Sequence, residues 1–154
     1  MDIDLNILPE SLPTLAGLEI RTINGPEELR DYAHLITTAF EFPAETEPAA
    51  YDWVRGLRLG MPFLIYMAYL DGKLVGTSSI LYGAGVAGIY TVAVSSEARR
   101  KGIGAAVTLH PLLEARNKGY RIGILQSSEM GYQVYQRLGF EKRTQLGCFQ
   151  LELS

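Results

Sequence analysis

From Thr91 the chain reads Thr91-Val92-Ala93-Val94, then a short loop from Ser95 to Lys101 ending in three successive bases, then Gly102-Ile103-Gly104-Ala105-Ala106. A β-branched run, a basic loop and a helix opened by glycines form an arrangement that can hold an anion. The first turn of a helix offers N–H groups without intrahelical acceptors and about half a positive charge. Gly102 and Gly104 would let a phosphate approach the backbone, and Arg99, Arg100 and Lys101 would add countercharge. On these residues alone, the other reading is a solvated charge run ahead of an ordinary helix.

A second glycine pattern, Gly83-Ala84-Gly85-Val86-Ala87-Gly88, has the letters of a dinucleotide fingerprint without its setting. That fingerprint needs a strand before it, a helix after it and an acid about 20 residues on. Here a strand follows, and Thr108 stands where the acid should be. These glycines are expected to connect two strands.

Two blocks carry a family resemblance. Arg99-x-x-Gly102-x-Gly104, placed after Val92-Ala93-Val94, resembles the Q/R-x-x-G-x-G/A signature of the GNAT superfamily of N-acetyltransferases. Downstream, Ser128-x-x-Gly131-x-x-Val134-Tyr135-Gln136-Arg137-Leu138-Gly139-Phe140 is similar to the family's N-x-x-A-x-x-L-Y-x-x-L-G-F run. The element order agrees from Leu18 to Leu153. The resemblance implies acetyl-CoA as co-substrate, no metal, and direct attack of a primary amine on the thioester in a ternary complex. It also implies that backbone groups of Val92 and Val94 pair with the pantetheine arm like an added strand. Amides of Arg100, Lys101, Gly102, Ile103, Gly104 and Ala105 would hold the pyrophosphate. Ser128, where the family usually has Asn, would offer a hydroxyl to pantetheine. Tyr135 would give a proton to the departing thiolate, a step that is useful but not essential for a thiol with a pKa near ~8.5. From composition alone, Tyr135 also reads as a core aromatic.

The same resemblance exposes a departure. Many family members carry a Glu early in the strand before the signature, and the matching position here is Gly88. The proton of the attacking amine must then go to water, to a tyrosine such as Tyr82 or Tyr90, or to an acid of the early helices such as Glu41 or Glu45. Two rival readings follow: a coenzyme A binding module without turnover, favoured by the missing carboxylate, and a nucleotide-binding protein using the same cradle. The absence of G-x-x-x-x-G-K-[ST] weighs against the latter.

Other reactive residues read as structural. Cys148, in an expected terminal strand, is a small buried hydrophobe rather than a nucleophile. His34 and His110 lie on separate helices without a second ligand at metal spacing. Trp53, Tyr51 and Phe42 read equally as an acceptor pocket or as core.

The elements that must position these groups follow from periodicity and turn chemistry. Ile3, Leu5 and Ile7 alternate like an edge strand, and Leu18 to Ile23 alternates again. Pro26-Glu27-Glu28 opens a helix whose Leu29, Ala33, Ile36 and Phe40 recur at helical spacing. A second helix follows Pro48, with Tyr51, Val54 and Leu57 or Arg58 on successive turns. Phe63 to Leu70, the Asp71-Gly72 turn and Leu74 to Leu81 read as a hairpin. A strand at Val86 to Val94, a helix from about Ile103 to Lys118, a strand at Arg121 to Gln126, a helix at Glu129 to Leu138 and two terminal strands complete the order. The expectation is an α/β fold of the GNAT type: a central mixed β-sheet flanked by about four helices, antiparallel early with one strand-helix-strand crossover. Pro111 interrupts the third helix and predicts a kink or a break.

Composition bounds the class. With 154 residues, 47% hydrophobic and 20% charged, the chain is one ordinary globular domain, not a disordered segment or a collagen-like repeat. One Cys permits no internal disulfide. Residues 1–17 read as an arm or linker remnant and 18–154 as the acetyltransferase domain. The start, MDIDLNILPE, lacks the basic and apolar regions of a secretory signal. A cytoplasmic protein with no membrane or nucleic-acid partner is expected, and a homodimer is common in the family. The net charge of −3 hides a split: residues 1 to 50 hold 10 acids and 2 bases, residues 51 to 154 hold 7 acids and 12 bases. The basic part contains the cradle for an anionic cofactor. The acidic part contains Glu41, Glu45 and Glu47, which would draw a cationic amine if they faced the acceptor groove.

Overall fold

Two dipeptides in the left-handed region set the sheet. Asp71 and Gly72, with φ of 51° and 80°, join strands Phe63–Leu70 and Lys73–Gly83; Ala84 and Gly85, at 48° and 78°, join the latter to Val86–Val94. Positive φ at both central residues matches the twist of antiparallel strands. The glycine pattern at 83–88 is therefore a hairpin, as its setting suggested.

The computed structural model describes residues 1–11, 15–57 and 60–147, and Cys148 lies outside the described residues. Ten elements are seen: β1 (Asp2–Asp4), β2 (Leu18–Thr22), α1 (Pro26–Ala39), α2 (Glu47–Arg55), β3 (Phe63–Leu70), β4 (Lys73–Gly83), β5 (Val86–Val94), α3 (Ile103–Asn117), β6 (Ile122–Leu125) and α4 (Glu129–Arg137). The strands form one mixed sheet in the order β1-β6-β5-β4-β3-β2. Among the described strands only β5 and β6 run parallel, joined by α3 as the crossover that parallel strands require. This is the mixed sheet with four helices that the sequence implies.

Helices cover both faces. On one, Leu29, Tyr32 and Ile36 of α1 and Val54 of α2 pack on Ile65, Met67 and Ala93. On the other, Ile103 and Val107 of α3 meet Ala68 and Val75, while Leu109, Leu112 and Tyr135 meet Tyr66, Ile80 and Ile89. Phe40, counted in the buried stripe of α1 from its spacing, is 43% exposed just past the helix end.

Two expectations are corrected among the described residues. Of the kink or break expected at Pro111, the break is absent: α3 runs continuously from Ile103 to Asn117, and the Val107 carbonyl that Pro111 leaves without a helical donor accepts the Ser78 hydroxyl of β4. The two strands expected after Gly139 are also absent among the described residues, where 140–147 contribute one bridge, Glu141 to Asp2. The place beside β6 is taken by β1, with Asp2 opposite Ile124 and Asp4 opposite Ile122. Ile3 and Leu5 are 2% and 0% exposed, whereas residues 141–147 are exposed throughout. Burial of apolar surface favours the N-terminal segment for that place.

Candidate active site

Strand β5 changes partners along its length. Its pairing with β6 ends at Ile89 opposite Leu125, yet β5 continues to Val94. Beyond Ile89 no described residue of β6 pairs with it, so the two strands part and leave an edge of backbone that includes Val92 and Val94. On the β4 side the register slips: Thr77 lies opposite Ala93, and Ser79 opposite Tyr90. Two steps of β4 face three of β5, which is a β-bulge. Thr91, at φ 50°, absorbs it, a conformation rare for a β-branched residue. Ser79 braces the bulge by donating to the Tyr90 carbonyl at 3.2 Å. From α1, the buried Tyr32 hydroxyl meets Thr91, and burial pushes its pKa up.

The bulge resets which side chains face where. Ile89 and Val92, three residues apart, both pack on the α3 side, and Ala93 packs under α1. Tyr90 is left on the face opposite Ile89.

At the end of β5 the cradle takes shape. A single 3-10 turn, Ser96–Ala98, leads to Arg100 at φ 63° and Gly102 at φ 83°, the residue before α3. The Ala106 amide donates to the Gly102 carbonyl at 3.0 Å as the first bond of the helix. Amides of Ile103, Gly104 and Ala105 precede it and have no acceptor within α3. Left-handed residues spaced through such a loop turn successive N–H groups inward to form an anion-binding concavity. A Cβ built on Gly104 would stand 3.7 Å from Cγ2 of Val94, so cradle and strand edge adjoin.

Arg100 and Lys101 are exposed beside these amides. Arg99 is turned elsewhere. Its Nη2 donates to the Ala39 carbonyl at 2.8 Å, its Nε to the Val94 carbonyl at 3.4 Å, and Glu41 lies 3.8 Å away. The guanidinium caps the negative end of α1 and ties it to β5. Of the three bases expected to supply countercharge, Arg100 and Lys101 stand exposed beside the amides and Arg99 does not.

Ser128 and Tyr135 meet across Gly131. From the Cβ position of Gly131, Ser128 Oγ is 3.4 Å away and Tyr135 Cε2 is 2.9 Å away. Ser128 is also the cap of α4, accepting the Gly131 amide at 3.2 Å. Tyr135 is 8% exposed, with its ring edge-on to Phe140. Burial raises its pKa, and a hydrogen bond with the Thr108 hydroxyl works the other way. Thr108 in turn donates to the Gly104 carbonyl at 2.8 Å. The Tyr135 hydroxyl therefore stands one helical turn from the cradle, protonated through the neutral range, and is both core aromatic and available donor.

On the other face lies an open groove of about 900 Å³, walled by Tyr90, by the end of β6 from Ile124, by Ser128, Glu129 and Tyr132 at the start of α4, and by Lys142 and Leu146 beyond it. It separates the candidates for proton acceptor. Tyr82 is on the α3 face, stacked on Tyr120 at 4.8 Å, with its hydroxyl buried and unpartnered. Glu41 sits at the end of α1 beside Arg99. Glu45 is exposed on a 3-10 turn, and Glu47 pairs with His34 at 2.9 Å; neither lines the groove. Tyr90 does. Trp53 and Phe42 are more than half exposed and also lie outside it. Among the described residues, the charges lining the groove are the acid Glu129, the base Lys142 and the amino group of Met1. Glu41, Glu45 and Glu47 are not among the residues lining this groove.

His110 is engaged with Glu114 at 3.3 Å and edge-on to Tyr66, and no group of three metal-ligating side chains is found among the described residues. No described helix is long and apolar enough to cross a membrane. Thr91, Ser79 and Tyr32, which shape the fork, were not singled out by periodicity.

Residues 27–140 match the model of the family described as acetyltransferase (GNAT). Similar solved structures include a protein of Pyrococcus horikoshii (TM-score 0.69, 22% identity, 86% of this chain covered). An aminoglycoside acetyltransferase from an uncultured soil metagenomic sample, in complex with trehalose, gives TM-score 0.66 at 20% identity over 90% of this chain and 97% of its own. AAC(6')-Iy, in complex with the bisubstrate analogue CoA-S-monomethyl-acetylneamine, gives 0.67 at 19% over 88% and 99%. This chain spans 46% of the Pyrococcus protein. At these identities the likeness is one of fold. Comparison with curated proteins gives no match.

Proposed function

This chain belongs to the acetyltransferase (GNAT) family, and on that premise we propose that it transfers the acetyl group of acetyl-CoA to a primary amine by direct attack in a ternary complex. The observation that carries this reading is the parting of β5 from β6 after Ile89, beside a helix N-terminus with free amides and two exposed bases. Those residues fit the cofactor. Amides of Ile103 to Ala105, with Arg100 and Lys101, would hold the pyrophosphate, and the backbone of Val92 and Val94 would take the pantetheine arm as a strand takes its neighbour. Ser128 would add a hydroxyl on the far side of the fork. Acetyl-CoA, when bound, supplies the acetyl thioester. Backbone N–H near Val92 would polarise its oxygen, and Tyr135 would donate a proton to the leaving sulfur. A solved relative of the same fold holds a CoA bisubstrate analogue, which agrees with a shared cofactor site.

Acetyl-CoA at about 100 times its Kd is expected to stabilise the fold by about 2.7 kcal/mol, a Tm rise of about 5–10 °C. A shift with ATP or NAD and none with acetyl-CoA would overturn the reading. The absent carboxylate at Gly88 favours one alternative, a coenzyme A binding module without turnover. That module would give the Tm shift but no thiol release with any amine.

A further inference from the structure

Acetyl transfer to an amine needs a group that takes the nitrogen's proton, and residue 88 brings no side chain. Another side chain fills its place. A Cβ built on Gly88 would stand 2.7 Å from Cε2 of Tyr90 and 2.9 Å from its hydroxyl, closer than a Cβ can come. The phenol therefore occupies the volume into which a longer residue 88 would project. Tyr90 is 37% exposed and lines the groove together with Gln126, Ser128 and Tyr132. The other titratable groups of that wall among the described residues are the Met1 amino group, which donates to the Leu125 carbonyl at 2.8 Å, and Glu129, Tyr132 and Lys142, which stand on α4 or beyond it. Tyr90 alone comes from β5, two residues from Val92, and the bulge at Thr91 is what leaves it on the groove face while Val92 stays under α3.

We propose that Tyr90 is the residue that accepts the proton of the acceptor amine. The inference rests on the acetyl-transfer reading above. As the C–N bond forms and the C–S bond breaks, the nitrogen's proton passes to the Tyr90 oxygen while the phenolic proton passes to groove water. The sulfur electron pair takes its proton from Tyr135, which regains one from solvent.

The test is thiol release from acetyl-CoA with glucosamine, putrescine and a short peptide with a free N-terminus as acceptors, alongside the Tm shift with acetyl-CoA alone. Tyr90→Phe keeps the ring over Gly88 and removes the oxygen. Its rate is expected to fall about 10²-fold with the Tm shift unchanged. Gly88→Glu made together with Tyr90→Ala puts a carboxylate in the vacated volume. It is expected to regain at least about tenfold over Tyr90→Ala alone, with the pH dependence of the rate moved down toward the carboxylate range. A Tyr90→Phe enzyme with the wild-type rate and pH profile would overturn the proposal, as would a rate lost together with the Tm shift. Absence of the shift in the wild-type protein would instead overturn the acetyl-transfer reading, before any amine is added.

Discussion

The Ser78 hydroxyl donates to the Val107 carbonyl at 2.5 Å, four residues before Pro111 in the same helix. Proline has no N–H for the carbonyl four residues back, so a buried acceptor in α3 would be left empty. Ser78, itself 0% exposed, supplies the bond from the sheet. The helix that carries the cradle is thus held continuous by β4. Ser78→Ala is expected to destabilise the fold by about 1–3 kcal/mol, read as a lower urea midpoint at unchanged slope. Adding Pro111→Ala, which restores the helical donor, should recover much of that loss. Two additive losses would show that the pair is uncoupled.

The three bases of the loop are expected to behave differently. Arg100→Ala and Lys101→Ala should each weaken acetyl-CoA binding by about threefold to tenfold, less at high salt, because exposed cations act through screened attraction. Arg99→Ala should leave that affinity nearly unchanged and lower the Tm, since its guanidinium bonds the carbonyls of Ala39 and Val94. Calorimetric titration at two salt concentrations, beside thermal unfolding, checks both halves.

Tyr135→Phe is expected to slow thiol release by about 10–10³-fold while keeping the acetyl-CoA Tm shift. Burial raises the pKa of this phenol, so it stays protonated through neutral pH and causes no alkaline fall in wild-type rate below about pH 10. An unchanged rate in the variant would assign Tyr135 to packing against Phe140.

Glu28 links the start of α1 to the sheet. Its carboxyl is held below the usual range chiefly by Arg21, then by the Asn24 amide and the Tyr69 hydroxyl, against an opposing effect of burial. A depressed carboxyl contributes stability above its unfolded pKa and loses it as pH falls through the folded value. The wild type should therefore exceed Glu28→Gln in urea midpoint at pH 7, and the gap should narrow as pH falls below the usual carboxylate range. A gap that stayed constant throughout that fall would point to packing instead of charge.

Much of the architecture is written locally. Asp71-Gly72 sets a hairpin, Pro26-Glu27-Glu28 starts a helix, and Gly102 stands where a left-handed residue must precede α3. Each depends on the conformational range of one or two residues, so the order of strands and helices from β2 to α4, the crossover and the glycine-opened start of α3 are legible in the chain. The bases of the cradle were visible by type, but not by direction. Arg99, Arg100 and Lys101 are adjacent and look equivalent, yet only contact with α1, some 60 residues earlier, draws Arg99 away.

What the amino-acid sequence by itself determined is thus the element order from β2 to α4, the hairpins, the basic loop that runs into the glycines opening α3, and the placement of Ser128 and Tyr135 on one helix. What tertiary structure decided is every feature that needs two distant segments at once. The carbonyl left by Pro111 is satisfied because β4 lies under α3. The seat beside β6 goes to β1 because Ile3 and Leu5 bury more apolar surface than the polar residues 141–147. Above all, Gly88-Ile89-Tyr90-Thr91-Val92 reads as an evenly alternating strand, and only the pairing with β4 inserts the bulge that resets its faces. Alternation along a strand is a local property, but register is shared between two chains of backbone. A one-residue slip moves side chains to the other face, and here it leaves the Tyr90 phenol over Gly88 in the groove.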